Sequence, residues 1–147
     1  MKSKKQSAAN SGLKQPETPT LFLDRSLGKK IVADALRSAG VKVEVHDDHF
    51  IQDTTDATWL KEVGEKNWVV LTKDRRIRFR IIEREALINA GLRAFVLTAG
   101  DIDGPSMASV FVKALPAMLR FSMKHPAPFI ATVTKSSSVR LLPLIKH

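Results

Sequence analysis

Three aspartates fall where predicted strands and helices meet, and their chemistry points to a hard cation. Asp24 ends the apolar run "TLFLDR", Asp56 opens "DATWLKEV", and Asp74 closes "NWVVLTKD", with Asp53 one turn before Asp56 as a spare. Carboxylates without histidine or cysteine partners suit Mg²⁺ or Mn²⁺ rather than zinc, because hard ions prefer oxygen ligands. Crowded carboxylates repel one another, so such a cluster calls for a cation or for arginines. Arg75, Arg76, Arg78 and Arg80 follow Asp74 at once, four arginines in six residues. Together with Lys73, and with Arg25 and Lys29 beside the first acid, they offer the charged donors that bind a phosphodiester backbone. Thr72 is placed to orient Asp74 or a bound water.

Each of these residues also has a plainer reading. An acid after an apolar strand is most often a turn residue, and Asp56 sits where acids favour a helix dipole. The arginines equally describe the solvated face of a helix whose Ile77, Ile81 and Ile82 point inward. His46, Asp47, Asp48 and His49 form the conspicuous cluster "HDDHF", but neighbours on a strand face opposite ways, which favours a loop lip over a metal site. Asp101 and Asp103 read as a turn and a helix cap.

The elements that must position the acids alternate. "TLFL" reads as a strand, "LGKKIVADALRSAG" as a helix closed by Gly40, and "VKVEV" as a half-buried edge strand. A helix capped by Thr54 or Thr55 carries Trp59, Leu60 and Val63, and "NWVVLT" has the continuous apolar run of a central parallel strand. "IRFRIIEREALINAG" reads as one helix stopping at Gly91, and "LRAFVLT" as a fourth strand. This alternation predicts an α/β fold, a mainly parallel sheet with helices on both faces. In the flavodoxin-like order 2-1-3-4, the strands ending at Asp24 and Asp74 are neighbours, and ligands bind at that reversal of strand order. A long helix bent at Pro116 and a β-hairpin around Ser136, Ser137 and Ser138 complete the chain. The apolar helix positions Val110, Phe111, Leu115, Met118, Leu119 and Phe121 fit either core, which is favoured, or the face of a homodimer.

The residues "LFLDRSLGKKIVADALRSAGVKVEVHDD", "DTTDATWLKEV" and "WVVLTKDRRIR" together resemble the PIN-like nucleases, in the branch of VapC-type toxins of toxin–antitoxin pairs, over about residues 20–100. The resemblance implies a three-layer α/β/α fold and a Mg²⁺- or Mn²⁺-dependent endoribonuclease with RNA as substrate and a cognate antitoxin as partner. Carried over by position, it makes Asp24, Asp56 and Asp74 the catalytic, metal-holding acids, with Thr72 in support. Relatives often carry a further acid two residues after the "TKD" aspartate, where this chain has Arg76. The competing expectations are a catalytically impaired RNA-binding module and, ranked well below, a phosphoacceptor receiver-like domain.

Size and composition agree with these expectations. A chain of 147 residues suits one compact domain. Residues 20–147 are read as that domain, with a core over 20–100 and the helix and hairpin over 105–147. Residues 1–19, basic, polar and proline-bearing, read as a disordered tail without the apolar core of a secretory signal. A formal charge of +9 favours a polyanionic partner. With no cysteine there is neither a disulfide nor a thiolate site. No apolar stretch is long enough to span a membrane, and the cytoplasm is the expected compartment.

Overall fold

In the computed structural model, which describes residues 18–82 and 85–143, six strands form one sheet. The strands are β1 (Leu21–Leu23), β2 (Val43–Val45), β3 (Val69–Thr72), β4 (Arg93–Leu97), β5 (Phe129–Val133) and β6 (Val139–Leu142). Their order is β2-β1-β3-β4-β5-β6. All neighbours are parallel except β5 and β6, which form the expected antiparallel hairpin. Strand order thus reverses between β1 and β3, the flavodoxin-like arrangement, and β2 is an edge strand. The tail residues 1–17 and the last residues, 144–147, lie outside the described residues.

The helices are α1 (Ile31–Ser38), α2 (Asp56–Glu65), α3 (Ile77–Ile82), α4 (Glu85–Asn89) and α5 (Gly104–Lys124). The single helix expected from Ile77 to a stop at Gly91 is described as α3 and α4, and residues 83 and 84 lie outside the described residues. Thr55 is the cap of α2, accepting a hydrogen bond from the Thr58 amide at 3.3 Å. Gly40 follows α1 with φ +98°, a conformation open to glycine and strained for other residues.

Strand alternation divides the core between the two faces of the sheet, because successive side chains point to opposite sides. Leu21, Leu23, Val69, Leu71, Phe95 and Leu97 pack with α1 and α5. Phe22, Val70, Ala94 and Val96 pack with α2 and α3 through Trp59, Leu60, Val63, Ile77 and Ile81. The result is a three-layer α/β/α architecture. Val110, Phe111, Leu115 and Met118 of α5 are buried, and Leu119 and Phe121 pack against the same cluster, so the apolar face of α5 belongs to the core.

Phe22 is wholly buried beneath the Asp24 end of β1. Its ring lies 5.5 Å from Trp59, 5.9 Å from Trp68 and 6.0 Å from Phe50, centroid to centroid. Phe22→Ala removes the shared member of this cluster, and equilibrium urea unfolding should find it less stable by about 3–5 kcal/mol.

Candidate active site

Asp24 stands at the point where β1 gives way to a single 3₁₀ turn, Arg25–Leu27. Its amide still reaches β3, donating to the Leu71 carbonyl at 3.0 Å, so the sheet itself fixes the residue. The side chain caps the turn: Oδ1 accepts from the Ser26 amide at 2.9 Å. Oδ2 accepts the hydroxyl proton of Thr72. Asp24 is only 8% exposed and Thr72 is fully buried. Among the described residues no ion pair reaches Asp24, although a carboxylate that has accepted two hydrogen bonds keeps about half its acceptor capacity.

Thr72 ends β3 and is the junction of the site. With its proton committed to Asp24, its oxygen accepts from the Asp74 amide at 3.0 Å. The Ser26 hydroxyl lies 3.2 Å away and must therefore be the donor of that contact. Ser26 Oγ accepts in turn from the Lys73 amide at 3.1 Å. Two hydroxyls thus join the loop after β1 to the loop after β3. Ser26 was not anticipated, since a serine two residues after a strand-end acid is ordinary turn chemistry and nothing local announces a partner 46 positions away.

Asp74 and Asp56 are placed differently. Both Asp74 oxygens face Arg76: Oδ1 accepts from its amide at 3.0 Å and from Nε at 3.1 Å, and Oδ2 from Nη2 at 3.3 Å. Burial pushes the Asp74 carboxyl up, but the hydrogen bonds and charge of Arg76 outweigh it and hold the group below its ordinary value. Asp56 opens α2, accepts from the Trp59 indole N–H at 3.0 Å, and pairs with Arg80 of α3. Asp53 is exposed in the preceding loop. Among the described residues no group of three acids or histidines is spaced to hold one ion. The fold therefore links the Asp24 side chain to the Asp74 backbone through Thr72, turns the Asp74 carboxylate to Arg76, and leaves Asp56 tied to Arg80.

Basic side chains flank this pair along the sheet edge. On the β2 side, Arg25 and Lys29 lie 3.5 and 4.0 Å from Asp47, and with His46 and Gln52 they line a groove of about 280 Å³. On the β4 side, Lys73, Arg75, Gly100 and Asp101 line a groove of about 430 Å³, and Arg75 donates to the Thr98 carbonyl at 3.2 Å. Arg78 lies on α3, and its side chain is outside the described residues. The "HDDHF" cluster divides: His46 is buried against Phe22, Phe50 and Trp59, while His49 pairs with Glu44 at 2.7 Å. Asp103 is the cap of α5, accepting from the Ser106 amide at 2.8 Å.

The chain is thus a doubly wound α/β domain with acids at the reversal point of its sheet and cationic side chains in the grooves on either side. Residues 19–99 match the family model described as a PIN like domain. The chain is also 33% identical over 126 residues to a protein of Mycobacterium tuberculosis (strain ATCC 25618 / H37Rv) named "Putative ribonuclease VapC45". That alignment covers 83% of this chain and 91% of its relative. No solved structure matches the chain significantly. The chain belongs to the PIN-like domain family, in the VapC-type branch.

Two predictions follow from the hydroxyl junction and the Arg76 pairing. Thr72→Val leaves the buried Asp24 oxygen and the Asp74 amide without their partner and should lower stability by about 1–3 kcal/mol in urea unfolding, whereas Thr72→Ser should restore most of it. By carbon-detected NMR titration, Asp74 should have a midpoint below the ordinary aspartate value of about 3.9, moving upward in Arg76→Gln. The sign follows from linkage: a depressed folded-state pKa contributes stability above the unfolded value, and this is lost as pH falls through the folded midpoint. The stability difference between the native chain and Arg76→Gln should accordingly shrink in acid.

Proposed function

We propose that this protein is a metal-dependent endoribonuclease and the toxin of a toxin–antitoxin pair, acting on RNA in the cytoplasm. The observation that carries the reading is Asp24, a buried carboxylate without a cationic partner among the described residues, at the sheet's reversal point, joined through Thr72 to the backbone amide of a second acid, Asp74. The name of the Mycobacterium tuberculosis relative supports the same chemistry.

The donor set fits Mg²⁺ or Mn²⁺. It consists of oxygen atoms, and Mg²⁺ is commonly held by one or two carboxylates while keeping several waters. Asp24 and Asp74, oriented through Thr72, are the residues that would hold it, and Asp56 becomes available when its carboxylate leaves Arg80. A bound divalent ion supplies a water of lowered pKa and a counter-charge for the leaving oxygen. The chain's own part is positional. Thr72 and Ser26 fix the Asp24 carboxylate, and Arg25 and Lys29 on one side with Lys73 and Arg75 on the other neutralise successive phosphates. Arg76, once free of Asp74, can add its planar fork to the same backbone. A single strand suits open grooves at a sheet edge, because its backbone and bases are accessible. The antitoxin would be a protein that covers this acid cleft.

One observation favours the catalytically impaired, RNA-binding reading: Asp74 and Asp56 each already carry an arginine. The discriminating experiment is cleavage of single-stranded and structured RNAs in Mn²⁺ and in EDTA. Cleavage should require the metal and should fall by about 100-fold or more in Asp24→Asn and Asp74→Asn, with RNA retention unchanged. RNA held equally with and without Mn²⁺, and never cut, would replace the nuclease by the binding module.

A further inference from the structure

The opposite, amino-terminal edge of the sheet carries a second cationic feature that the acid site does not use. Arg93 opens β4, four residue steps before Leu97, so roughly 13 Å of strand separates it from the acid edge. Its guanidinium is half-buried and donates from Nη2 to the Asn67 carbonyl at 2.6 Å. Burial lowers its pKa, and no carboxylate among the described residues compensates. A guanidinium withdrawn from water without an anion is unfavourable.

The space in front of Arg93 is an open groove of about 530 Å³. Lys124 and His125, at the end of α5, supply further positive or donor groups, and none of the described residues lining the groove is acidic. His125 is held in place: its ring stacks on Phe121 at 3.8 Å between centroids, and Nδ1 donates to the Phe121 carbonyl at 3.2 Å. Met123, 64% exposed, with Pro126 and Ala127 forms an apolar wall beside the cations. The volume is far larger than one phosphate requires and lies in the range of small-ligand sites. A polar, cationic end next to an apolar wall matches a nucleotide unit, with its anion on the guanidinium and its base against the wall.

We propose that this groove is a second ligand site that takes a nucleotide unit, the phosphate bound by Arg93 and Lys124 and the base lying along Met123, Pro126 and Ala127. The unit is either a free mononucleotide or one residue of an RNA strand. The site is independent of the acid cleft and needs no metal.

The test is two-dimensional NMR of the full chain in EDTA, titrated separately with inorganic phosphate, AMP, a six-nucleotide single-stranded RNA and a glutamate-rich peptide. AMP should shift the resonances of Arg93, Met123, Lys124 and His125, and should bind about ten-fold more weakly to Arg93→Gln and to Lys124→Ala. Lys124 is exposed at a helix end, so its variant keeps the fold even if Arg93→Gln does not. Asp24→Asn should bind AMP as the native chain does, which separates this site from the proposed active site. If the RNA occupies the groove, the salt dependence of its binding should decrease by about 0.7 in logarithmic slope on loss of Lys124. The same groove shifts with AMP but no RNA effect would assign the free mononucleotide. Inorganic phosphate binding as tightly as AMP, the peptide competing equally, or AMP shifts confined to the acid cleft would each overturn the proposal.

Discussion

The buried hydrogen bond between Thr72 and Asp24 is the constraint on which the site depends. It couples the ends of two parallel strands that are 48 residues apart in the chain. A carboxylate is expensive to withdraw from water, and this one is tolerated because the Ser26 amide, after β1, and the Thr72 hydroxyl, at the end of β3, supply donors. The same Thr72 oxygen receives the Asp74 amide, so the position of the second acid's backbone follows from that of the first. Ser26 closes the arrangement by donating to Thr72 and receiving Lys73. Removing the hydroxyl would therefore disturb two loops at once.

The sheet makes that junction possible by alternation. Leu23 and Leu71 commit their side chains to the α1 and α5 layer, while Phe22 and Val70 commit theirs to the α2 and α3 layer. Both layers are filled, so the strands can neither slide by one residue nor separate without exposing core. The polar residues at the strand ends are held by a framework whose own energetics are almost entirely apolar. Phe22 illustrates the coupling, since it anchors Trp59, and Trp59 in turn donates to Asp56.

Electrostatics then divide the acids by their surroundings. Asp24 is buried and pairs with no arginine among the described residues, whereas Asp74 directly precedes the arginine-rich segment and pairs with Arg76, and Asp56, at the start of α2, pairs with Arg80. Pairs of this kind, partly open to solvent, contribute little to stability. Their effect is on availability: each acid has a ready counter-ion, and each arginine is committed to an acid.

The amino-acid sequence alone determined the alternating strands and helices, the edge position of β2, the terminal hairpin, a helix cap at Thr54 or Thr55 and another at Asp103, and the strand-end location of Asp24 and Asp74. These are local matters of periodicity, turn chemistry and apolar run length, and they can be read from neighbouring residues. It did not determine which side chains meet. Ser26 and Thr72 are far apart in the chain, and only the parallel pairing of β1 with β3 makes them partners. Of the arginines after Asp74, Arg76 turns back on the acid two residues before it, a local contact, whereas Arg80 meets Asp56 only because α3 packs beside α2. Likewise, His46 and Asp47 are adjacent in sequence and touch at 3.4 Å, yet the His46 ring is buried among aromatic residues while Asp47 also meets Arg25, because a single turn at the end of β2 sets them side by side at the edge of the core. Spacing along the chain fixes where a charge can be, but its partner is chosen by the packing of strands and helices that bring distant residues to one edge.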